Sequence, residues 1–578
     1  MTDSPEKRRV VILGGYGVFG GKLAVSLLLN PCFDVLVAGR SLEKAEAFCA
    51  RHGGTPVRLD RDAADFPAIL ATLSPFVTVD AAGPFQAYDG NPYVVAAAAV
   101  AAGSHYLDLS DDAEFTAGIQ SLDASSRASG LAVLSGVSSV PALSSVAVES
   151  LRTDFRRLDL IESIILPGNR APRGLSVIRA ILAQVGRPLT VFRDGAAETV
   201  PGWSGLSRRR LGPGGKDGLP PRWSSFIGAP DLALFPDHYG ARTVLFRAGL
   251  ELSPMHLGLW LLSWPVRLGL IRSLEPAAKA LQWAADRLEP FGTDRGGMEV
   301  AISGLGTDGL PLTRRWTLIA EAGDGPHIPA VAASILCRRL SEDGVPPGAR
   351  ACLGAFTLDD INQATRHLSV RTFTGTLEQP VLFQQALGSE FKVLPDPVRA
   401  LHTVFDRRRW SGRAKVTRGR SLGGNLVCRV VGFPPEGEDT PVKVTIEKRG
   451  DREIWNRSFG DRTFRSILKL SGSEGTGLVN ERFGPVSFDI ALERRDDGLH
   501  YPVKRGWLLG LPVPKWLLPT SEATETHQDG RFRFDVKISL PVFGLLVHYQ
   551  GWLTPEHPTE QQGTRRADRK DPVPEKSS

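Results

Sequence analysis

The chain has 578 residues, of which 42% are hydrophobic and 23% charged, with 61 glycines and 42 prolines. A single hydrophobic core stops growing at roughly 250–300 residues, so several domains are required, and these near-average proportions exclude wholesale disorder and collagen-like repetition. The net charge of +6, from 69 Lys and Arg against 63 Asp and Glu, is too small and diffuse to imply a nucleic-acid partner.

Lys7, Arg8 and Arg9 precede an apolar stretch as in a secretion signal, but that stretch gives way to glycine after Leu13, so no signal is read. Short β-branched or apolar runs at residues 9–13, 34–38, 56–59, 76–81, 105–109 and 131–134 read as strands. The stretches 18–29, 41–52, 63–73, 91–102 and 112–128 between them read as helices. Such alternation builds parallel βαβ units, so residues 1–140 are expected to form an α/β domain, a Rossmann-type doubly wound parallel sheet. Asn91 before Pro92 is expected to cap the fourth helix, and Asp111 with Glu114 to form a capping box on the fifth.

Residues 141–380 mix helical and strand-like stretches, which predicts an α+β domain. Residues 136–141, at the domain crossing, read as a pocket wall or a tight turn. The Gly/Pro/Arg-rich segment 201–221 reads as a surface loop. The apolar segment 255–271 is broken by Pro265 and Arg267 and is too short to span a membrane. It suits a buried helix first, and an interfacial helix or dimer surface after that.

Residues 381–555 carry alternating runs separated by turns such as Asp529-Gly530, which predicts an antiparallel β-rich domain. Its segment 506–519 (GWLLGLPVPKWLLP) reads as a buried hairpin, with a lipid-facing loop as the alternative. The polar tail 556–578 is expected to be disordered. The basic runs 208–210 and 407–409 are expected to face solvent. Five scattered cysteines without a C-x-x-C pair fit a reducing cytoplasm.

The strongest chemical signal is Gly14-Gly15-Tyr16-Gly17-Val18-Phe19-Gly20, set between a strand and a helix. Gly15, Gly17 and Gly20 satisfy G-x-G-x-x-G, whose glycines permit a tight turn, close approach to a pyrophosphate and close helix packing. The helix from Val18 then aims its N-terminal amides at the phosphates. At the end of the second strand, where an NAD site carries an acid, the chain reads Ala38-Gly39-Arg40-Ser41. Arg40 suits a 2′-phosphate, with Ser41 and Lys44 adding donors, so NADP is favoured over NAD and FAD. Gly14, Gly17 and Gly20 also fit the G-x-x-G-x-x-G of short-chain dehydrogenases, but none of the seven tyrosines has a lysine four places on. H-E-x-x-H and G-x-S-x-G are absent as well.

Val11-Ile-Leu-Gly-Gly-Tyr-Gly-Val-Phe-Gly20, Ala38-Gly-Arg-Ser41, Asp80-Ala-Ala-Gly-Pro-Phe85 and His105-Tyr-Leu-Asp-Leu-Ser110 together resemble the NADP-binding domain of the saccharopine dehydrogenase-like family. The resemblance is firm over about residues 8–145 and looser to about 375, and the third domain resembles an uncharacterised bacterial module appended to such reductases. It implies an NADP-dependent oxidoreductase that moves hydride to or from an imine, carbonyl or enoyl group. It also implies that Ala82, Gly83 and Pro84 pass over the cofactor ribose, that Asp60 approaches the adenine, and that Tyr106 and Asp108 lie near the nicotinamide. Strand alternation puts Tyr106 and Asp108 on one face, where either could donate a proton. The competing reading makes Tyr106 a core aromatic and Asp108 a loop-fixing acceptor. Lipid-directed members keep a small-molecule or lipid-like substrate open. A non-catalytic NADP sensor or membrane-associated adaptor is the alternative function, and peripheral membrane contact and a homodimer stay open with it.

Overall fold

A computed structural model of the chain describes residues 7–556, apart from 89, 173, 379, 496 and 497. The tail expected to be disordered lies outside the described residues from 557 onward. The chain divides into two compact units, one of residues 1–193 with 197–379 and one of residues 194–196 with 380–578.

The first unit opens with six parallel strands, β1 (Arg8–Leu13), β2 (Phe33–Gly39), β3 (Thr55–Arg58), β4 (Val77–Asp80), β5 (His105–Asp108) and β6 (Ala132–Ser135). Their order in the sheet is β3-β2-β1-β4-β5-β6, the doubly wound order, and it reverses between β1 and β4. Val10, Val11 and Ile12 are fully buried, as a strand covered on both faces requires. Helices α1 (Val18–Leu28) and α2 (Leu42–His52) leave the ends of β1 and β2. The parallel doubly wound sheet expected from the alternating pattern is therefore present.

Its seventh strand comes from far along the chain. Gly348–Ala351 pairs in parallel with β6, from Gly348 opposite Ala132 to Ala351 opposite Ser135. The helix before it, Ile328–Ser341, packs on α1, the Ser26 and Ser334 hydroxyls bonded at 3.0 Å, and its Val331, Ile335 and Leu336 belong to the same core as Leu23 and Leu27. The strand's sequence, Gly-Ala-Arg-Ala, contains no apolar run from which it could be read.

Several local expectations are corrected. The fourth helix begins at Val94, and Asn91 instead accepts a hydrogen bond from the Tyr93 N–H in the turn before it (3.0 Å). Residues 112–128 form two short helices, Ala113–Gly118 and Asp123–Ala128, joined by a tighter turn. Asp112, not Asp111, caps the first of them, accepting from the Phe115 N–H at 2.8 Å.

The remainder of the first unit builds a nine-stranded sheet in which Thr243–Ala248 runs parallel to Phe155–Leu166 and the other central pairings are antiparallel. Segment 201–221 is not an open loop, because Ser207–Leu211 pairs antiparallel with Leu219–Phe226. Leu211 and Leu219 bury into a cluster with Ile164, Leu166 and Ile319, which pulls the hairpin onto the sheet. Arg209, expected in solvent, reaches the buried Glu162 at 3.0 Å, alongside Arg247 at 2.7 Å. Helix Ser253–Arg267 buries only one stripe, His256, Ser263 and Val266, and leaves Leu261 and Trp264 exposed. Among the described residues no helix is long and apolar enough to cross a membrane.

The second unit is built on one antiparallel sheet of thirteen strands among the described residues, with the helices Leu382–Leu387, Asp396–Leu401 and Leu422–Val431 beside it in the chain. Gly498–His500 pairs with Thr520–Gln528 toward one end of the strand order, and Val503–Leu508 pairs with Val486–Ala491 toward the other. Only Tyr501 and Pro502 separate those two strands, so the sheet is drawn round on itself. Arg408, expected in solvent, is buried. The segment expected as a buried hairpin is instead exposed, Leu509, Leu511 and Trp516 each at 70% or more. Its strand Leu511–Pro512 lies at the sheet's edge, and Pro512 and Pro514 restrict further pairing.

A fragment of residues 1–140 lacks the seventh strand and the helix that covers α1. It is expected to melt without cooperativity in thermal calorimetry, whereas residues 1–379 melt cooperatively. A sharp transition in the short fragment would show that the late strand is dispensable.

Candidate functional site

The chain turns out of β1 at Gly14, whose φ of +72° suits glycine, and a Cβ there would lie 2.7 Å from the Ala81 carbonyl oxygen. The Gly15 N–H donates to the carbonyls of Ile12 and Ala38, tying the loop to both strands. At Gly20 a Cβ would come within 2.3 Å of the Gly14 oxygen, so α1 reaches the loop only because that position lacks a side chain. Gly17 differs, since its Cβ would meet a single atom at 3.0 Å and the residue is exposed. Val18 opens α1 beside it, partly exposed, while Phe19 packs on the core. No side chain caps the helix at Gly17, which leaves its first amides for an anion.

Tyr16 lies across Gly39, where a Cβ would sit 2.5 Å from its ring, and its hydroxyl accepts from the Ser41 N–H at 3.1 Å. It thereby fixes the turn that carries Arg40. Arg40 and Lys44 are exposed there. Ser41 caps α2, its hydroxyl accepting from the Lys44 N–H at 3.3 Å. Arg58, exposed at the end of β3, stands opposite Gly39 and adds a second guanidinium. Nothing near it in sequence marks Arg58, because only the strand register brings it to this edge. Asp60 accepts from the Asp62 N–H at 3.3 Å and shapes the loop after β3.

Asp80, at the end of β4, is fully buried and accepts from the Ala82 N–H at 3.0 Å and from the Tyr88 hydroxyl at 3.1 Å. It holds the Ala82-Gly83-Pro84 loop in place, and burial pushes its carboxyl up to about 6. Asp108, at the end of β5, is also fully buried. Its Oδ1 accepts from the N–H groups of Ser110 (3.0 Å) and Gly136 (2.8 Å) and from the Ser135 hydroxyl (3.0 Å), while Oδ2 has no hydrogen-bond partner among the described residues. Desolvation outweighs those donors and pushes the carboxyl up to about 7. Tyr106 lies on the same face, 1% exposed, in a core with Val11, Leu13 and Val133. Burial and the Asp108 carboxylate beside it hold its phenol well above the ordinary tyrosine range.

Glycine loop, basic edge and two buried carboxyls of raised proton affinity thus gather at the C-terminal ends of the parallel strands, on either side of the point where strand order reverses, the usual ligand crevice of such sheets. Asp80 and Tyr88 gain structural roles that sequence alone does not assign. Among the described residues no group of three His, Cys, Asp or Glu side chains is placed to hold a metal.

Two predictions follow the geometry. Gly17→Val should fold with little change in melting temperature but lose dinucleotide binding in calorimetric titration, whereas Gly20→Val should itself lose about 1–3 kcal/mol of stability through overpacking. The second concerns Asp108, whose carboxyl moves from 3.8 to about 7 on folding. The folded state therefore holds the proton more tightly, and this group's contribution to stability declines as pH rises from 3.8 to about 7 and is flat above. Asp108→Asn removes that decline, so urea unfolding should show the variant gaining on the wild type between about pH 4 and pH 7. A constant difference across that range would contradict the buried carboxyl's raised proton affinity.

A family model described as the saccharopine dehydrogenase NADP binding domain matches residues 10–133, and one described as a domain of unknown function (DUF4166) matches residues 394–553. A search of the curated proteins finds no match. Among solved structures, apo histidine-tagged saccharopine dehydrogenase (L-Glu forming) from Saccharomyces cerevisiae is 16% identical over 64% of this chain and 100% of its own, with a TM-score of 0.46. GenD2 from gentamicin A biosynthesis, in complex with NAD, is 14% identical over 64% of this chain and 97% of its own, with a TM-score of 0.30. KijD10, a 3-ketoreductase from Actinomadura kijaniata, is 13% identical over 62% and 95%, with a TM-score of 0.29. The chain thus combines a saccharopine dehydrogenase-like NADP-binding domain with a module of the DUF4166 type.

Proposed function

We propose that the first unit is an NADP-dependent oxidoreductase, moving hydride to or from an imine, carbonyl or enoyl group of a small-molecule or lipid-like substrate. The observation that carries this reading is the edge formed by Arg40, Lys44 and Arg58 beside the glycine loop. An NAD site carries a carboxylate at the end of its second strand, and here that place belongs to Arg40. A guanidinium there offers paired donors to a 2′-phosphate. The amides of the Gly17 turn and α1 would take the pyrophosphate, Ala82, Gly83 and Pro84 would pass over the ribose, and Asp60 would face the adenine.

When bound, the nicotinamide supplies the hydride chemistry. Asp108 holds a proton up to about pH 7, near the value at which a group both keeps and releases one in neutral solution. The Ser135 hydroxyl and the amides of Ser110 and Gly136 position that carboxyl through its other oxygen. The second reading, a non-catalytic NADP sensor, draws on the burial of both Asp108 and Tyr106.

Calorimetric titration should find NADPH bound at least about tenfold more tightly than NADH, and Arg40→Ala should remove about 1.5–3 kcal/mol of NADPH affinity. Equal affinities for the two nucleotides would overturn the cofactor assignment. NADPH oxidation against a panel of imines, ketones and enoyl thioesters then separates enzyme from sensor. For the enzyme, Asp108→Asn should lower turnover by ~10²–10⁴ while NADPH affinity stays within a few fold, and Tyr106→Phe should have a far smaller effect. NADPH binding without turnover on any of the panel would favour the sensor.

A further inference from the structure

The sheet of the second unit encloses a cavity of about 380 Å³, within the roughly 300–1,000 Å³ range of small-molecule sites. Apolar side chains dominate its wall, aliphatic ones such as Val442, Leu468 and Ile538 interleaved with the rings of Phe459, Phe488 and Tyr549. The charged residues among those lining it are Arg457, Glu481 and Glu525, and each is engaged within the wall. Arg457 donates to Glu481 at 3.1 Å and to the Ser466 hydroxyl at 2.7 Å. Glu525 takes the Tyr501 hydroxyl and faces His402 Nε2 at 2.6 Å. An ionic head group entering this space would find its counter-charges already paired, whereas a hydrocarbon chain loses nothing by leaving water.

The cavity's two ends differ. Phe383, stacked on His402, and Leu401 floor it near Tyr501 and Glu525. At the other end Leu508 and Leu517 line the cavity and are also exposed to solvent, which makes this end a mouth. Three segments meet there. Residues 502–520 contribute Leu508, Val513 and Leu517 to the wall, the helix Leu422–Val431 contributes Val427 and Val431, and the turn after Leu540 brings Phe543 against Gly423. Outward, the same segments present Leu422, Leu426, Leu511, Trp516 and Val542, each at least 64% exposed. Residues 418–432, 502–520 and 540–546 contain no Asp or Glu, while Arg420, Arg429 and Lys515 are exposed among them. Apolar side chains ringed by cations match the surface of an anionic bilayer.

We propose that the C-terminal sheet is a binding site for a single-chain anionic lipid, taken tail-first from an anionic membrane on which its mouth rests. The hydrocarbon fills the apolar interior and the acidic head stays at the mouth beside Arg420 and Lys515. The site is independent of the nucleotide reading, since neither its residues nor its test involves the first unit.

The full-length chain is titrated with cis-parinaric acid, a fluorescent fatty acid, first free in buffer and then in phosphatidylcholine vesicles with and without phosphatidylglycerol. The expected result is saturable binding of one probe per chain, displaced by saturated fatty acids whose affinity rises about two- to fourfold per added methylene until the cavity is full. Ala523→Trp and Val444→Trp each place an indole in the cavity, and either one that keeps the wild-type melting temperature should weaken binding at least about tenfold. Leu511→Asp with Trp516→Asp should leave binding of the free probe within about threefold but slow its uptake from anionic vesicles at least about tenfold. Absence of saturable binding in the wild type, or chain-length independence, overturns the site. Uptake that ignores phosphatidylglycerol and the rim substitutions overturns its membrane-facing mouth.

Discussion

Helix α1 meets the glycine loop at a distance that no side chain permits, and the nucleotide-site geometry rests on that contact. A Cβ on Gly20 would lie 2.3 Å from the Gly14 oxygen, and one on Gly14 would lie 2.7 Å from the Ala81 oxygen. The same few atoms therefore lock α1, β1 and the loop after β4 together. Because the loop is held by backbone packing, the N-terminal amides of α1 point outward without a capping side chain. Tyr16 extends the arrangement sideways, covering Gly39 and holding the turn that carries Arg40. The loop is thus built on close backbone approach, and the exposed cations stand only at its edge.

The legible part of this structure is the part written in short periods. Most of the first six strands are dense apolar runs with turn residues between them, and burial on both faces makes such runs obligatory, the half-exposed edge strand β3 excepted. The glycine loop was legible for a related reason, since its residue types are dictated by contacts a few positions away. Arg58 and the Gly348–Ala351 strand were not, because each owes its place to a partner distant in the chain. Cap positions failed by one or two residues, at Asp111 because the neighbouring Asp112 caps the first turn, and at Asn91 because the helix starts after Tyr93 with no capping side chain. Tyr106 and Asp108 were singled out by position on β5, but alternation gives only a shared face. Their depth, and the donors that gather on one Asp108 oxygen, come from β6 and the turn after it.

In the second unit the apolar pattern had two possible uses, filling a core or lining a hollow. The alternation along a strand is the same in both cases. What distinguishes them is closure, and closure depends on Tyr501 and Pro502, which carry one strand from its pairing with Thr520–Gln528 to a pairing with Val486–Ala491. Exposed Leu511 and Trp516 are similarly ambiguous as sequence, since an apolar run bounded by prolines reads as buried until its sheet edge is known.

The late strand Gly348–Ala351 also bears on how this protein is made. Synthesis proceeds at roughly 5–20 residues per second, so on the order of ten seconds or more pass between the emergence of β6 and that of the strand which pairs with it. Throughout that interval the outer edge of β6 offers unpaired backbone groups, and α1 waits for the helix Ile328–Ser341 that packs on it. The nascent chain at this stage is a natural client for chaperones that shield strand edges and apolar helix faces. Slow codons placed after residue 351 would give the sheet time to close before the second unit appears, whereas slow codons before it would prolong the exposure.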